Sequence, residues 1–309
     1  MIRDARILVT GATGEVAQPL IRHLAADNEV WGAARFADPA GADKVRALGA
    51  RPVQVDVGSG DLSALPDNFT YVLHLAFHRG GATDYDGAVR INGEGTGHVL
   101  HHCRKARAAL VMSSGAVYSA VDDPHAYPAE DSPIGNALTP WSPTSGMAKV
   151  AQEAVARFCA RAFNLPVVIP RLNTVYGQSP RFLPTMHMDS IMAGREIAAR
   201  WDPNPHHPIH TDDLCGQLEA MLDAASTPAT VVNWGGDEVV TLQEWCAMVG
   251  EWSGKAVRIN TVPVPGTTRT GGSDQTRRRA ITGPATVRFA QGYRRLFDQR
   301  HGAAIGLAD

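Results

Sequence analysis

The stretch Ile7–Leu20, ILVTGATGEVAQPL, decides how the rest of the chain is read. Ile7, Leu8 and Val9 form a continuous apolar run, the pattern of a parallel strand buried on both faces. Thr10 to Gly14 breaks that run. Gly11 can take a backbone conformation closed to residues with a Cβ, and Gly14 leaves the main chain open to a diphosphate at the start of the next helix. The amide ends there, from Thr13 through Glu15 and Val16, supply positive potential without a charged side chain. Gly11, Gly14 and Ala17 are each separated by two residues, a looser spacing than the G-x-G-x-x-G fingerprint, and an Ala at the third position still packs helix on strand.

Working outward, 309 residues with 44% hydrophobic content can bury one large core, or a core and a smaller lobe. A formal charge of -2 gives no polycation for nucleic acid or an acidic membrane, so neither is expected as a partner. Arg277, Arg278 and Arg279 are the one strong basic cluster, expected as a solvated or phosphate-facing turn. Cys103, Cys159, Cys215 and Cys246 are far apart and lack a C-x-x-C pair, which reads as reduced packing residues of a cytoplasmic protein. With the first strand starting within the first ten residues no signal peptide is expected, and no apolar run reaches the roughly 18 residues of a membrane span.

Glu29–Ala34 reads as the second strand, Ala42–Leu48 as a short helix, Pro52–Val57 as the third strand and Tyr71–Leu75 as the fourth. The second strand ends in Ala33, Ala34, Arg35. With Arg rather than an acid there, NADP is favoured over NAD, because guanidinium accommodates a 2′-phosphate where a carboxylate would receive ribose hydroxyls. A long helix is expected over Asp84–Lys105, then strands at Ala109–Met112 and Val167–Arg171. This alternation predicts an α/β fold, a doubly wound parallel sheet of Rossmann-like type. The division expected is a dinucleotide-binding domain over 1–175 and a smaller, mixed substrate-binding lobe over 176–309, interleaved with the last core strands. Val231–Gly235 is one such strand, and Thr241 with Glu244 makes a capping box for a helix through Gly250.

TGATGEVA near the start, HLAF after the fourth strand, SSGAVY after the fifth and SGMAKVAQE on an amphipathic helix together resemble the extended, epimerase/dehydratase branch of the short-chain dehydrogenase/reductase superfamily. The resemblance spans about residues 5–300 and is specific in the N-terminal half. It implies that Asp56-Val57 contacts adenine, that Leu75-Ala76 passes under the cofactor, and that Leu172 lines it further on. It implies that Asn92 is the structural Asn near the catalytic Lys, that Ser114 is the catalytic Ser and that Lys149 holds the nicotinamide ribose. Substrate contacts are implied at Phe77, His78, Ala116 and Thr174, with Arg181 and His206 as contacts for an anionic group. A homodimer through the long helices is likewise implied.

One departure from the pattern matters most. The family places a Tyr four residues before the Lys, one helical turn or about 6 Å away, where the ammonium lowers the phenol pKa. Here that residue is Ser145, a shorter side chain and a far poorer acid. Three readings stay open: a Tyr-to-Ser variant of an otherwise intact site; recruitment of another acid among Tyr118, Tyr127, Tyr85, His78 or a water held by Ser145 and Lys149; and cofactor binding without redox turnover, as in a sensor. The function expected is hydride transfer at a secondary alcohol or carbonyl of a small or sugar-like substrate. A lyase or dehydratase using the cofactor transiently is the alternative enzyme. His206, next to Pro205 in PNPHHPIH, stands where nucleotide-sugar enzymes carry an Arg, and Thr174 stands where they carry an Asn; both changes favour a smaller or less anionic substrate. His206, His207 and His210 lack the partners of a metal site and are expected in an exposed loop, so no metal is expected.

Overall fold

The computed structural model describes residues 2–305. Its contacts divide the chain into two units. The first runs to Tyr118 and takes in Pro133–Arg171 and Cys215–Val232; the second holds Ser119–Ser132, Leu172–Leu214 and the chain from Asn233. A single cut at residue 175 describes this only coarsely, because 119–132 leaves the first unit and 215–232 returns to it.

In chain order the strands are β1 (Arg6–Thr10), β2 (Glu29–Ala34), β3 (Arg51–Gln54), β4 (Tyr71–His74), β5 (Ala108–Val111), β6 (Ser113–Ser114), β7 (Val167–Leu172), β8 (Val175–Tyr176), β9 (Ile197–Ala199), β10 (Pro205–His206), β11 (Ile209–His210), β12 (Thr230–Trp234), β13 (Val240–Thr241) and β14 (Ile259–Thr261). The helices are α1 (Ala17–Leu24), α2 (Ala40–Ala47), α3 (Tyr85–His102), α4 (Ser145–Phe163), α5 (Leu183–Met192), α6 (Thr211–Asp223), α7 (Leu242–Ser253), α8 (Thr276–Thr282) and α9 (Phe289–His301).

The main sheet has the order β12-β7-β5-β4-β1-β2-β3, with β6 beside β7. Successive pairs from β7 to β3 are parallel, so the chain crosses over between them and the Gly-rich turn falls at the C-terminal edge of β1. β1 is central, and Ile7, Leu8 and Val9 are fully buried, which is why its apolar run is continuous rather than alternating. Leu8, Val72, Val99, Leu100, Val111, Ala156 and Ile169 share one core cluster, where each fully buried Val or Leu is worth about 1.5–3 kcal/mol. Asp84 caps α3 by accepting from the Gly87 amide, and a Cβ on Gly93 would meet Ala151 and Val155, so α3 packs closely on α4. The third strand is shorter than expected: the last main-chain bond it shares with β2 is Val55 N to Ala34 O, and the Asp56 carboxylate then accepts from Gly58 N to form a turn.

In the second unit β10 pairs antiparallel with β13, while β11 with β8 and β14 with β9 pair in parallel. Tyr176, Trp245, Phe289, Tyr293 and Phe297 build an aromatic core there. The expected capping box is present at the start of α7, Thr241 and Glu244 each satisfying the other's backbone amide. Two expectations are corrected. Arg278 is not part of a solvated turn: it is fully buried on α8, with its guanidinium donating to Asp237 and to Gly283 O. His206, His207 and His210 are buried rather than exposed, because glycines at 271 and 272 leave room for the first two rings; a Cβ at either would fall within 2.4 Å of an imidazole nitrogen. Among the described residues no helix is long and apolar enough to cross a membrane, and no group of three or more His, Cys, Asp or Glu is placed to hold a metal ion.

Candidate active site

The turn after β1 is built for close backbone approach. Gly11 has φ 69°, and a Cβ there would stand 2.7 Å from the Ala76 backbone, so glycine is required both conformationally and sterically. Gly14 N donates to Gly11 O at 2.8 Å, Ala12 N to Ala33 O at 3.2 Å, and Thr13 and Gly14 face solvent. Leu75 and Ala76 leave β4 directly beside this turn, half-buried. Glu15 and Val16 complete the turn and lead into α1.

Beneath it lies a hydrogen-bond chain that sequence reasoning missed. Thr96 Oγ1 donates to Asn92 O at 2.6 Å, so its oxygen accepts from His74 Nε2 at 3.0 Å. His74 Nδ1 is then the acceptor for Thr10 Oγ1 at 2.7 Å, and Thr10 Oγ1 accepts from Ala76 N at 3.2 Å. Every polar atom is satisfied by the neutral Nε2–H tautomer, and burial pushes the ring down to about 3. The Asn92 side chain accepts from His78 N at 2.8 Å and donates to the carbonyls of His78 and Ala88 at 2.7 Å each. α3 is thereby tied to the segment Phe77–His78 that leaves β4.

Lys149 lies one turn into α4 and is 7% exposed. Its Nζ donates to Met112 O at 2.5 Å and Gln152 Oε1 at 2.8 Å, and stands 4.3 Å from the Phe77 ring centroid. Among the described residues no carboxylate bonds to it. Burial pushes the ammonium down to about 7, against the pull of Glu153 in the next turn. Glu153 is committed elsewhere: Arg171 donates to it through Nε and Nη2 at 2.9 Å each, and Ser113 Oγ at 2.6 Å. Burial works to raise the Glu153 pKa, but Arg171 and then Ser113 outweigh it and hold the carboxyl below its ordinary value.

Ser114 is partly exposed, and its Oγ accepts from Ala116 N at 3.2 Å across the 3-10 turn that follows. A Cβ on Gly146 would lie 3.0 Å from Ala116 O, so the first turn of α4 abuts that turn. Thr144 Oγ1 donates to Arg79 O, drawing the segment after His78 to the same place. Ser114, Ala116, Phe77, His78, Ser145 and Lys149 therefore gather at one edge of the sheet. Ser145 Oγ donates to Ser142 Oγ at 2.5 Å. Of the other acids considered, Tyr118 is buried with the Arg171 guanidinium 4.8 Å above its ring, Tyr85 is exposed at the start of α3, and Tyr127 belongs to the second unit, edge-on to His207.

Arg35 follows β2 and is exposed, its carbonyl accepting from Gln54 Nε2 at 3.1 Å. Asp56 and Val57 lie in the turn after β3 rather than in the strand, Val57 against Gly95 of α3. In the second unit Leu172 ends β7 and Arg181 is exposed. Thr174 Oγ1 is 2.6 Å from His206 Nδ1, and His206 Nε2 is 3.4 Å from Asn204 Oδ1. Burial pushes His206 down to about 3, so the ring is neutral and cannot supply the charge of an Arg. Glu153 and Gln152, four and three residues beyond Lys149, carried a helical-spacing signal that pointed to a buried polar patch.

A parallel sheet with a Gly-rich turn at the edge of β1, and a Ser and a Lys brought together beside it, defines a nicotinamide-dinucleotide enzyme of the short-chain dehydrogenase/reductase type. More specifically, residues 7–228 match the NAD dependent epimerase/dehydratase family, and the chain belongs to it. Comparison with curated proteins finds no match. Among solved structures it is similar to UDP-glucuronic acid 4-epimerase from Bacillus cereus in complex with UDP-glucuronic acid and NAD, at 24% identity over 95% of this chain and 98% of that one, TM-score 0.80. It is also similar to MoeE5 in complex with UDP-glucose and NAD, at 23% identity over 97% and 99%, TM-score 0.78. UDP-glucose 4-epimerase from Thermotoga maritima matches at 19% identity over 97% and 99%, TM-score 0.79. At these identities the likeness establishes the fold.

Proposed function

We propose that the protein is an NADP-linked oxidoreductase or epimerase acting at a secondary alcohol or carbonyl of a small or sugar-like compound. The observation that carries this is the gathering of Ser114 and Lys149 at the sheet edge that also bears the Gly11–Val16 turn. The residues fit a dinucleotide: Gly11 and Gly14 expose main chain where a Cβ at Gly11 would collide, and the Lys149 ammonium has no acid bonded to it. The turn would hold the diphosphate, Arg35 a 2′-phosphate, Asp56 and Val57 the adenine, and Leu75, Ala76, Asn92 and Leu172 the remaining walls. When bound, the cofactor gives or takes a hydride. Ser114 would donate its hydroxyl proton to the substrate oxygen as a hydrogen bond and orient it, while Lys149 would hold the ribose.

Proton transfer is the part that Ser145 changes. Its hydroxyl is spent on Ser142, so it does not reproduce a phenol. Phe77, His78 and Ala116 border the reacting position, and we assign Thr174, Arg181 and His206 to the substrate end. Neutral His206 bonded to Thr174 supports a less anionic substrate than the UDP-sugars held by the solved relatives. A homodimer fits the outward face of α4, where Phe158 is 66% and Met147 53% exposed, and four free cysteines fit a cytoplasmic protein.

Calorimetry with NADP and NAD, followed by NADPH oxidation against a panel of aldehydes, ketones and sugars, tests the reading. Ser145→Tyr is expected to raise turnover by about 10²–10⁴, the usual worth of a positioned acid. Tight NADP binding with no turnover in either form, on any compound of the panel, would leave a cofactor-binding protein rather than an enzyme.

A further inference from the structure

The second unit shields two polar atoms from solvent that meet no partner among the described residues, Asn173 Nδ2 and His207 Nδ1. Asn173 follows β7, and its backbone amide donates to Trp234 O at 2.9 Å. The direction of each bond to its side chain is fixed. Gly235 N can only donate, so Gln275 Oε1 accepts from it at 2.8 Å, and Gln275 Nε2 then donates to Asn173 Oδ1 at 3.0 Å. Ser273 Oγ donates to the same oxygen at 2.9 Å. The Asn173 amide cannot be flipped, because its NH2 would then face the Gln275 NH2, so Nδ2 is an obligate donor.

His207 is its neighbour. A Cβ on Gly235 would lie 2.6 Å from Asn173 Oδ1 and 3.0 Å from His207 O, while one on Gly272, the residue before Ser273, would collide with His207 Nδ1 and lie 3.1 Å from Tyr127 Cδ1. His207 is 7% exposed, and its ring packs edge-on to Tyr127 with centroids 4.9 Å apart. Burial pushes the imidazole down to about 4, so the ring is neutral and offers one donor and one acceptor. Among the described residues Asn173 bonds through its side chain to the neutral Ser273 and Gln275, and nothing bonds His207 Nδ1.

A shielded donor without an acceptor forgoes a hydrogen bond that water would have made, and an arrangement that fixes one this firmly suits an acceptor carried in by a ligand. A hydroxyl satisfies both side chains, since its oxygen accepts and its proton donates. A carboxylate or phosphate would need a donor from each and a counter-charge that neither supplies. We propose that Asn173 and His207 form a subsite for the hydroxyl groups of a polyhydroxy substrate, Asn173 Nδ2 donating to a hydroxyl oxygen and His207 Nδ1 accepting a hydroxyl proton. This rests on the reading of the protein as a dinucleotide-dependent enzyme, and it narrows the substrate from small or sugar-like compounds to hydroxylated ones.

The test uses the whole protein with NADP present, D-xylose as the probe, and tetrahydropyran, the same ring without hydroxyls, as the control. In isotope-labelled protein the side-chain amide resonances of Asn173 are identified by their absence from Asn173→Asp, which keeps the oxygen that Ser273 and Gln275 use. D-xylose should shift those resonances and tetrahydropyran should not. His207→Phe keeps a ring against Tyr127 and removes both nitrogens, so it is expected to hold the melting temperature while D-xylose binds about tenfold more weakly. The assignment is overturned if D-xylose leaves the Asn173 resonances in place, if tetrahydropyran shifts them equally, if His207→Phe binds D-xylose as tightly as the parent, or if its affinity falls only together with a melting temperature several degrees lower. Failure of the parent to bind NADP or NAD in calorimetry would overturn the dinucleotide reading itself, a result distinct from any of these.

Discussion

Lys149→Met tests the electrostatics of the site without knowledge of a substrate. Methionine fills similar space and carries no charge, so it removes the desolvated ammonium and leaves the helix packing in place. Burial takes Lys149 from 10.5 to about 7, and at 1.36 kcal/mol per pH unit that is about 5 kcal/mol of stability forgone below pH 7, where the amine is charged in both states. The sign follows from proton counts. Between about pH 7 and 10 the unfolded chain holds the Lys149 proton and the folded one does not, so the parent gains stability as pH rises, by about 1.4 kcal/mol per unit. The variant lacks this slope. Urea unfolding of both proteins at pH 6, 7, 8 and 9, followed by tryptophan fluorescence, should show the variant's advantage nearly constant up to pH 6 and shrinking by about 2 kcal/mol from pH 7 to 9. Parallel stability curves across that range would refute the reasoning, because they would mean that the Lys149 pKa is ordinary.

Gln152→Glu places a carboxylate where an amide oxygen now stands 2.8 Å from Nζ; the Lys149 pKa should rise and the same stability slope should move to higher pH in the urea series. Glu153→Gln breaks the bidentate pair and removes the carboxylate that balances the buried Arg171 charge, expected to cost about 3–5 kcal/mol in chemical denaturation, and partly recovered in Glu153→Gln with Arg171→Met. Gly11→Ala forces a Cβ to 2.7 Å from the Ala76 backbone at positive φ, so calorimetry should show dinucleotide binding abolished and the melting temperature lowered.

Where one period of hydrophobicity decided an element, the sequence was a sufficient guide. Glu29–Ala34 is β2 to the residue, and the capping box at Thr241 forms as expected, because strand burial and cap chemistry are local. Elements set by partners distant in sequence were not legible. Arg278 looked solvated in a run of three arginines, yet Asp237, 41 residues away, takes its charge into the interior. The buried histidines likewise depend on Gly271 and Gly272, some 65 residues on, whose missing side chains make room for their rings. β3 stops at Gln54 rather than Val57 because the Asp56 carboxylate accepts from the Gly58 amide and turns the chain, a side-chain bond that strand periodicity does not register.

The packing around Lys149 does not depend on the residue at position 145. Tying Lys149 to Met112 O and Gln152 Oε1 depends on helix spacing and on the strand end that faces it, and neither needs residue 145. The Glu153–Arg171–Ser113 network fixes α4 against β6 and β7 in the same way. Position 145 sits one turn earlier, where among the described residues Ser145 Oγ donates to Ser142 Oγ and shares no side-chain bond with the residues that hold the frame. Burial brings Lys149 to about 7, where it exchanges a proton around neutrality, while His74, locked between two threonines, stays unprotonated throughout that range. A Ser145→Tyr exchange therefore acts at a position apart from the bonds that hold Lys149.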